Sequence, residues 1–280
     1  MIAAARLARE LSFVVNSIDD RRFSRLTANL RTVFGSPGPE VVRIPDARSM
    51  AEGLNRGARI ARGAWLAFVH DDILFLNRDA PDVIAAAMAA CDMFGACGTT
   101  RLTSGNWYDA GRPFTQGQVV APVPAKPGCY ELQRFGGDGS SLVQGIQALD
   151  GILIACSRDA FATVGGFDEQ TYDGFVGYDI DISFRAALAG LRVVVACGLV
   201  LQHDAHVEFF NEEKLQAWED KQRAFQRTFG TVLAREAGER GHSSVQLRDP
   251  RDAPAIVAGR RPSRLGSWKS RLGFGATLSP

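Results

Sequence analysis

An α/β fold on a mostly parallel sheet, doubly wound with helices on both faces, is what this sequence predicts, and two observations carry that prediction. Short apolar runs alternate with amphipathic stretches of helical length through the first hundred residues, the pattern of repeated βαβ crossovers. The composition fits an ordinary globular chain, with 280 residues, 46% hydrophobic and 22% charged, long enough to bury a full core.

The elements follow in order. Residues 11–15 read as a buried strand, and Asp19 or Asp20 is placed to cap an amphipathic helix running to Phe34. Ser36-Pro-Gly-Pro39 is a turn before a second short strand at 41–44. Residues 47–61 read as a helix ending at Gly63, and 64–69 as a third strand. Pro81 suits the first turn of the next helix, which runs to about Ala90, and 93–98 is a fourth strand. From 99 to 148 the rhythm breaks into a Gly/Pro-rich stretch. Fifty residues without a helix inside a compact domain predict a functional insertion. Regular structure returns with a strand at 151–155, helices from Arg158 and after Tyr178, a strand at 191–201, and an amphipathic helix at 212–229. After Gly230 the hydrophobic period fades. Residues 231–280 hold nine Lys/Arg and four Asp/Glu, about +5 against −4 for the rest, and read as a weakly ordered basic tail.

Lys+Arg 32 against Asp+Glu 31 leaves a formal charge of +1, too little field to gather nucleic acid or anionic lipid. Five cysteines without a CxxC pair argue against a disulfide framework or structural zinc and for a reducing compartment. Arg6, Arg9 and Glu10 interrupt what would be a signal peptide. The longest uncharged apolar run, at 193–201, is about half the ~20 residues that span a bilayer. A cytoplasmic protein without an integral membrane segment is expected, its oligomeric state open. GxGxxG and GxxxxGK[ST] are both missing, which excludes a dinucleotide fingerprint and a P-loop.

In open α/β sheets ligands bind beyond the carboxyl ends of strands. Polar clusters fall there: Ser17-Ile-Asp19, Pro45-Asp46, His70-Asp71-Asp72 and His203-Asp204, while Asp150-Gly151 opens the fifth strand. Two adjacent carboxylates after Phe68-Val-His repel unless they are solvated or hold a cation, and Mg²⁺ or Mn²⁺ bridges such oxygens to phosphates. Asp179 and Asp181 lie two apart, so on different faces of a helix. Asp181 and Arg185 are spaced as an ion pair, while Asp179 is either a charge favouring the helix dipole or a general base. His203 is either a satisfied polar group or a Mn²⁺ ligand.

The order of these motifs resembles the inverting family 2 glycosyltransferases with a GT-A fold, in particular the branch whose metal motif begins with His. The resemblance covers roughly residues 11–210. It rests on Ser49-Met-Ala-Glu-Gly-Leu-Asn-Arg-Gly57, Ala61-Arg-Gly-Ala-Trp-Leu-Ala-Phe-Val-His-Asp-Asp-Ile73, Phe94-Gly-Ala-Cys-Gly98 with Trp107, Leu149-Asp-Gly-Ile-Leu-Ile154, Gly165-Gly-Phe-Asp168, Tyr178-Asp-Ile-Asp181 and His203. It implies a domain at 1–230, with a nucleotide-binding half at about 1–98 and an acceptor half at about 99–230. The implied activity is metal-dependent transfer of a hexose-type sugar from a nucleotide diphosphate-sugar to a glycan or other hydroxyl, with inversion, as in polysaccharide biosynthesis. Asp179 is the implied base, with Tyr178 in place of the usual Glu. Asp72 and His203 are implied for Mn²⁺ or Mg²⁺. Ser17, Asp19, Asp46, Asn55, His70, Asp71 and Asp150 are implied for nucleotide and donor, and Trp107, Gly151 and Tyr178 for acceptor. The competing readings are a non-catalytic nucleotide- or glycan-binding module and a sugar nucleotidyltransferase. The latter needs a Gly-rich basic loop after the first strand, and residues 14–20 have neither glycine nor a basic residue.

Overall fold

The computed structural model of the chain describes residues 7, 9–36, 38–136, 141–204 and 212–260. The first hundred residues follow the expected alternation: β1 (Leu11–Asn16), α1 (Asp20–Phe34), β2 (Glu40–Ile44), α2 (Met50–Ile60), β3 (Trp65–Val69), β4 (Ile73–Phe75), α3 (Ala80–Ala90), β5 (Met93–Gly95) and β6 (Cys97–Thr99). Asp19 caps α1, its carboxylate accepting from the backbone N–H of Arg21 and Arg22. Ser49 caps α2, accepting from Glu52 N–H, while Glu52 turns back to accept from Arg48 N–H, a close variant of the capping box. Leu26, Leu30 and Phe34 recur at helical spacing and are buried. Each such side chain contributes about 1.5–3 kcal/mol when fully buried.

After a short 3₁₀ helix (Trp107–Ala110) come β7 (Thr115–Pro122), β8 (Tyr130–Arg134), β9 (Leu142–Val143), β10 (Ala148–Leu149), β11 (Leu153–Ser157), α4 (Arg158–Thr163), α5 (Tyr178–Leu188), β12 (Val193–Ala196), β13 (Leu201–His203), α6 (Glu212–Phe229), β14 (Ser243–Leu247) and α7 (Ala253–Val257). The main sheet has the order β2-β1-β3-β11-β5-β12-β9. β2, β1 and β3 run parallel, as do β5 and β12, while β11 runs antiparallel to both of its neighbours. Strand alternation sends Phe13, Val15, Ala67 and Val69 to one face with α1 and α3. Val14, Leu66 and Phe68 go to the other face with α2.

The stretch expected as an insertion, 99–148, supplies β7 and β8 to a second sheet, β10-β6-β7-β13-β4 with β8 on β7 and β14 on β8, while its β9 pairs with β12 in the main sheet. The single strand read at 93–98 divides at Ala96 into β5 of the first sheet and β6 of the second. The strand read at 191–201 divides likewise into β12 and β13. The weakly ordered tail expected from residue 231 is corrected over 231–260. β14 pairs with β8 through five residues, and Leu247 and Ala253 are buried with Val120, Leu132 and Val200. Residues 261–280 of that expected tail lie outside the described residues. Among the described residues no helix is long and apolar enough to cross a membrane.

Candidate active site

Three backbone devices assemble the site at the carboxyl end of β3. The first is the turn His70-Asp71-Asp72 between β3 and β4. The second is the antiparallel pairing of β4 with β13, whose register sets His203 opposite Ile73, beside Asp72; Asp204 N–H donates to Asp72 O at 3.0 Å. The third is the pairing of β11 with β3, which lays the Asp150–Ile152 turn against His70, whose N–H points to Ile152 O at 3.4 Å.

These devices bring His70, Asp72 and His203 together. Their ligating atoms lie within 4.8 Å of one another. His70 Nδ1 is 3.3 Å from His203 Nε2, which is 3.3 Å from Asp72 Oδ1. Asp72 Oδ1 is buried and has no hydrogen-bond partner, so the His203 contact is an ion-pair approach rather than an aligned hydrogen bond. Burial works against the Asp72 charge, but His203, His70 and Arg22 outweigh it and hold the carboxyl at about 2. Burial, then the charge of His203, pulls His70 down to about 4. Burial also opposes charge on His203, yet Asp72 holds its pKa above the ordinary value. An orphaned buried carboxylate oxygen with two imidazoles converging on it is a donor set that fits a divalent cation. His70, expected among the donor contacts, therefore stands with the metal candidates.

The other half of the site is built by α5. Gly177 sits at φ +82, a left-handed conformation, and a Cβ there would lie 2.9 Å from the Tyr172 ring, so glycine is required to start this helix. The next two residues enter the site. Asp179 Oδ2 accepts from Gly151 N–H at 2.9 Å, and the Tyr178 hydroxyl lies 2.9 Å from His70 Nε2. Gly151 permits this packing, because a Cβ there would stand 2.6 Å from the Tyr178 hydroxyl and 3.1 Å from Asp179 Oδ2. Burial and the neighbouring charge of Asp150 push the Asp179 carboxyl up to about 7, against the pull of nearby backbone N–H groups. Asp150 is fixed in turn by the Trp107 indole N–H at 2.7 Å and the Ile152 N–H at 2.9 Å.

Both aromatic side chains expected at the acceptor are buried. Trp107 is 7% exposed and stands edge-on to Phe135 at 4.9 Å, so its ring lies within the core and its N–H serves Asp150. Tyr178 is 4% exposed, with its hydroxyl turned to His70 rather than outward.

The residues expected to hold nucleotide are more scattered. Ser17 donates to Asp71 Oδ2 at 2.7 Å, and Arg22 stands 3.7 Å from the other oxygen. Asp19 is spent on its helix cap, although its charge reaches Asp71. Asp46 is exposed and paired with Arg56 at 2.7 Å. Asn55 stitches α2 to the Gly165–Asp168 turn, donating to Phe167 O at 2.9 Å and to Glu169 Oε1 at 2.8 Å. The sequence reading missed Arg22 and Arg25, which stand one turn apart on α1 and bind Asp71 and Asp204. Their i,i+3 spacing after the Asp19 cap was the available signal. It also missed His242, which lies 3.1 Å from the Tyr108 hydroxyl beside Trp107 and had no local signal at all.

The chain is 28% identical over 216 residues to an N-acetylglucosaminyl-diphospho-decaprenol L-rhamnosyltransferase of Mycobacterium tuberculosis, covering 67% of this chain and 68% of that one. Among solved structures it is similar to GalNAc-T7 with UDP, GalNAc and Mn²⁺, at TM-score 0.50 and 12% identity, covering 82% of this chain and 52% of that one. It also matches the mannosyltransferase PcManGT from Pyrobaculum calidifontis in complex with GDP-Man and Mn²⁺, at TM-score 0.48 and 13% identity, covering 82% of this chain and 66% of that one. The chain thus spans about half to two thirds of the length of these structural relatives. Its architecture, with two sheets meeting at the end of β3, is a GT-A fold. The model of the Glycosyltransferase like family matches residues 12–229, from the first strand to the last residue of α6, and the chain belongs to that family.

Proposed function

We propose that this chain transfers a sugar from a nucleotide diphosphate-sugar to an acceptor hydroxyl, inverting the anomeric carbon, with Asp179 as general base. The observation that carries the reading is the Asp179 carboxyl itself. It is oriented by Gly151 N–H and held at about 7, the range in which a carboxylate both is ionised and accepts a proton effectively. His70, Asp72 and His203 would hold a divalent cation, whose chemistry when bound is to neutralise charge on a departing diphosphate. Two imidazoles favour Mn²⁺ over Mg²⁺, which prefers oxygen donors. In this reading residues 1–98 form the nucleotide side and 99–230 the acceptor side. Ser17, Asp71 and Arg22 line the former, and Gly151 the latter. Asp150, fixed by Trp107, sets the proton affinity of the base, and Asp179 takes the hydroxyl proton as that oxygen attacks. A module that only bound nucleotides would have no use for such a base.

The rhamnosyltransferase similarity makes nucleotide-linked L-rhamnose the first donor to try, and a polyprenol diphosphate-linked N-acetylglucosamine the first acceptor. Turnover by Asp179→Asn should fall ~10²–10⁴-fold, the usual worth of a positioned base. Donor affinity should stay near wild type, because the lost interaction belongs to the transition state. Proton NMR of the product should show the anomeric configuration opposite to the donor's. Retained configuration, or full turnover by Asp179→Asn, would overturn the assignment.

A further inference from the structure

We propose that Tyr178 is a positioning residue for the cation site, fixing the ring of His70 so that Nδ1 faces Asp72 and His203. The proposal rests on the reading of those three residues as a cation site, and it gives Tyr178 a role other than acceptor contact. The Tyr178 hydroxyl is confined. It lies 2.9 Å from His70 Nε2, and on another side the α-carbon of Gly151 approaches so closely that a Cβ there would stand 2.6 Å away. The side chain is 4% exposed, so a substrate has little access to it. With Nε2 engaged, the remaining ring nitrogen of His70 is Nδ1, the one 3.3 Å from His203 Nε2 and hence directed at the group around Asp72 Oδ1.

A neutral imidazole carries one proton, and the hydrogen bond made by one nitrogen decides what the other can offer. When the Tyr178 oxygen accepts Nε2–H, the Nδ1 lone pair is left for a cation. Partners of this kind fix both tautomer and ring orientation, and their loss typically weakens metal binding by about 10–100-fold. The arrangement also couples the two halves of the site. Consecutive residues at the start of α5 hold the cation side through Tyr178 and supply the base through Asp179.

Calorimetric titration with Mn²⁺ alone, without nucleotide or acceptor, tests this. Wild type should bind Mn²⁺, and Tyr178→Phe, still folding cooperatively though somewhat less stable for the lost hydroxyl contact, should bind about 10–100-fold more weakly. In a His70→Ala background the same Phe substitution should change little, because its effect runs through His70. Equal affinity in wild type and Tyr178→Phe, or the same loss with and without His70, would overturn the proposal. Wild type that takes up no Mn²⁺, or Asp72→Ala that binds as well as wild type, would instead remove the cation-site reading on which it rests. Should Tyr178→Phe not fold, nitrogen–proton correlation spectra of wild type with Zn²⁺, a diamagnetic ion, decide the matter. A proton on His70 Nε2 supports the proposal, and one on Nδ1 overturns it.

Discussion

Asp72 and Asp179 are the same residue type at two edges of one polar network, and their surroundings push them in opposite directions. Burial raises the proton affinity of both. At Asp72 two imidazoles and Arg22 reverse the effect and leave a carboxylate at about 2, ready to face a cation across the whole working range of pH. At Asp179 the charge that acts is Asp150, which adds to burial and leaves a carboxyl at about 7, ready to exchange a proton. The sign of the neighbouring charges separates a carboxylate suited to facing a cation from one suited to taking up a proton. Asp181 completes the comparison from within the same helix. It too is raised by burial, but its carboxylate is bound by Arg185 at 2.6 Å, and Arg185 also donates to Gly166 O at 2.9 Å and to Val164 O. That carboxylate holds a turn in place and touches no part of the site network.

The largest effect expected anywhere in the chain is the ~10²–10⁴-fold loss of turnover in Asp179→Asn. Next comes Asp72→Ala, which should make nucleotide diphosphate affinity the same with and without Mn²⁺, as read by calorimetry. A Mn²⁺ dependence as strong as in wild type would place the cation elsewhere and dissolve the contrast between the two carboxylates. Asp181→Asn should act differently from both. Weakening a buried, charge-assisted contact costs roughly 1–3 kcal/mol. Thermal denaturation should therefore show a melting temperature lower by a few degrees, while kcat stays close to wild type. A fall in kcat comparable to that of Asp179→Asn would show that the two residues do not divide the work.

Much of this was legible along the chain because it is local. Asp19 before α1 and Pro81 in α3 are a cap and a start that act within one turn, whereas the Ser49 cap, two residues inside the helix read from 47, went unread. Phe13, Val15, Leu66 and Phe68 alternate within single strands. The Asp181–Arg185 pair follows from i,i+4 spacing alone. What was not legible depends on pairings between distant segments. β4 and β13 have three residues each, too short for a periodic signal, yet their register is what sets His203 beside Asp72. Trp107 carried a real signal, but its burial against Phe135, and the contact of His242 with Tyr108 beside it, depend on residues far along the chain. Residues 243–247 looked like solvated tail because their pairing partner is β8, far back along the chain, and Leu247 packs on Val120, Leu132 and Val200.

The smallest and sharpest test concerns Asp150. Its charge is the second cause, after burial, of the raised Asp179 carboxyl, so Asp150→Asn should lower the Asp179 pKa from about 7 toward the ordinary carboxylate range. The sign in a rate profile follows directly. A base works when deprotonated, so wild-type turnover should rise with pH through about 7 and then level off. In the variant that rise should move to lower pH. The Asn oxygen can still accept the Trp107 indole N–H or the Ile152 N–H but cannot replace both carboxylate oxygens, which costs roughly 1–3 kcal/mol of stability. Above the rise, turnover should fall modestly rather than rise, because a base with lower proton affinity accepts the hydroxyl proton less well. The profile of kcat against pH, measured with saturating donor and Mn²⁺, reads both effects. An acid limb that stays where it was would leave burial as the sole cause of the Asp179 shift. The opposition between the two carboxylates would then be set by depth in the protein rather than by the charge of a neighbour.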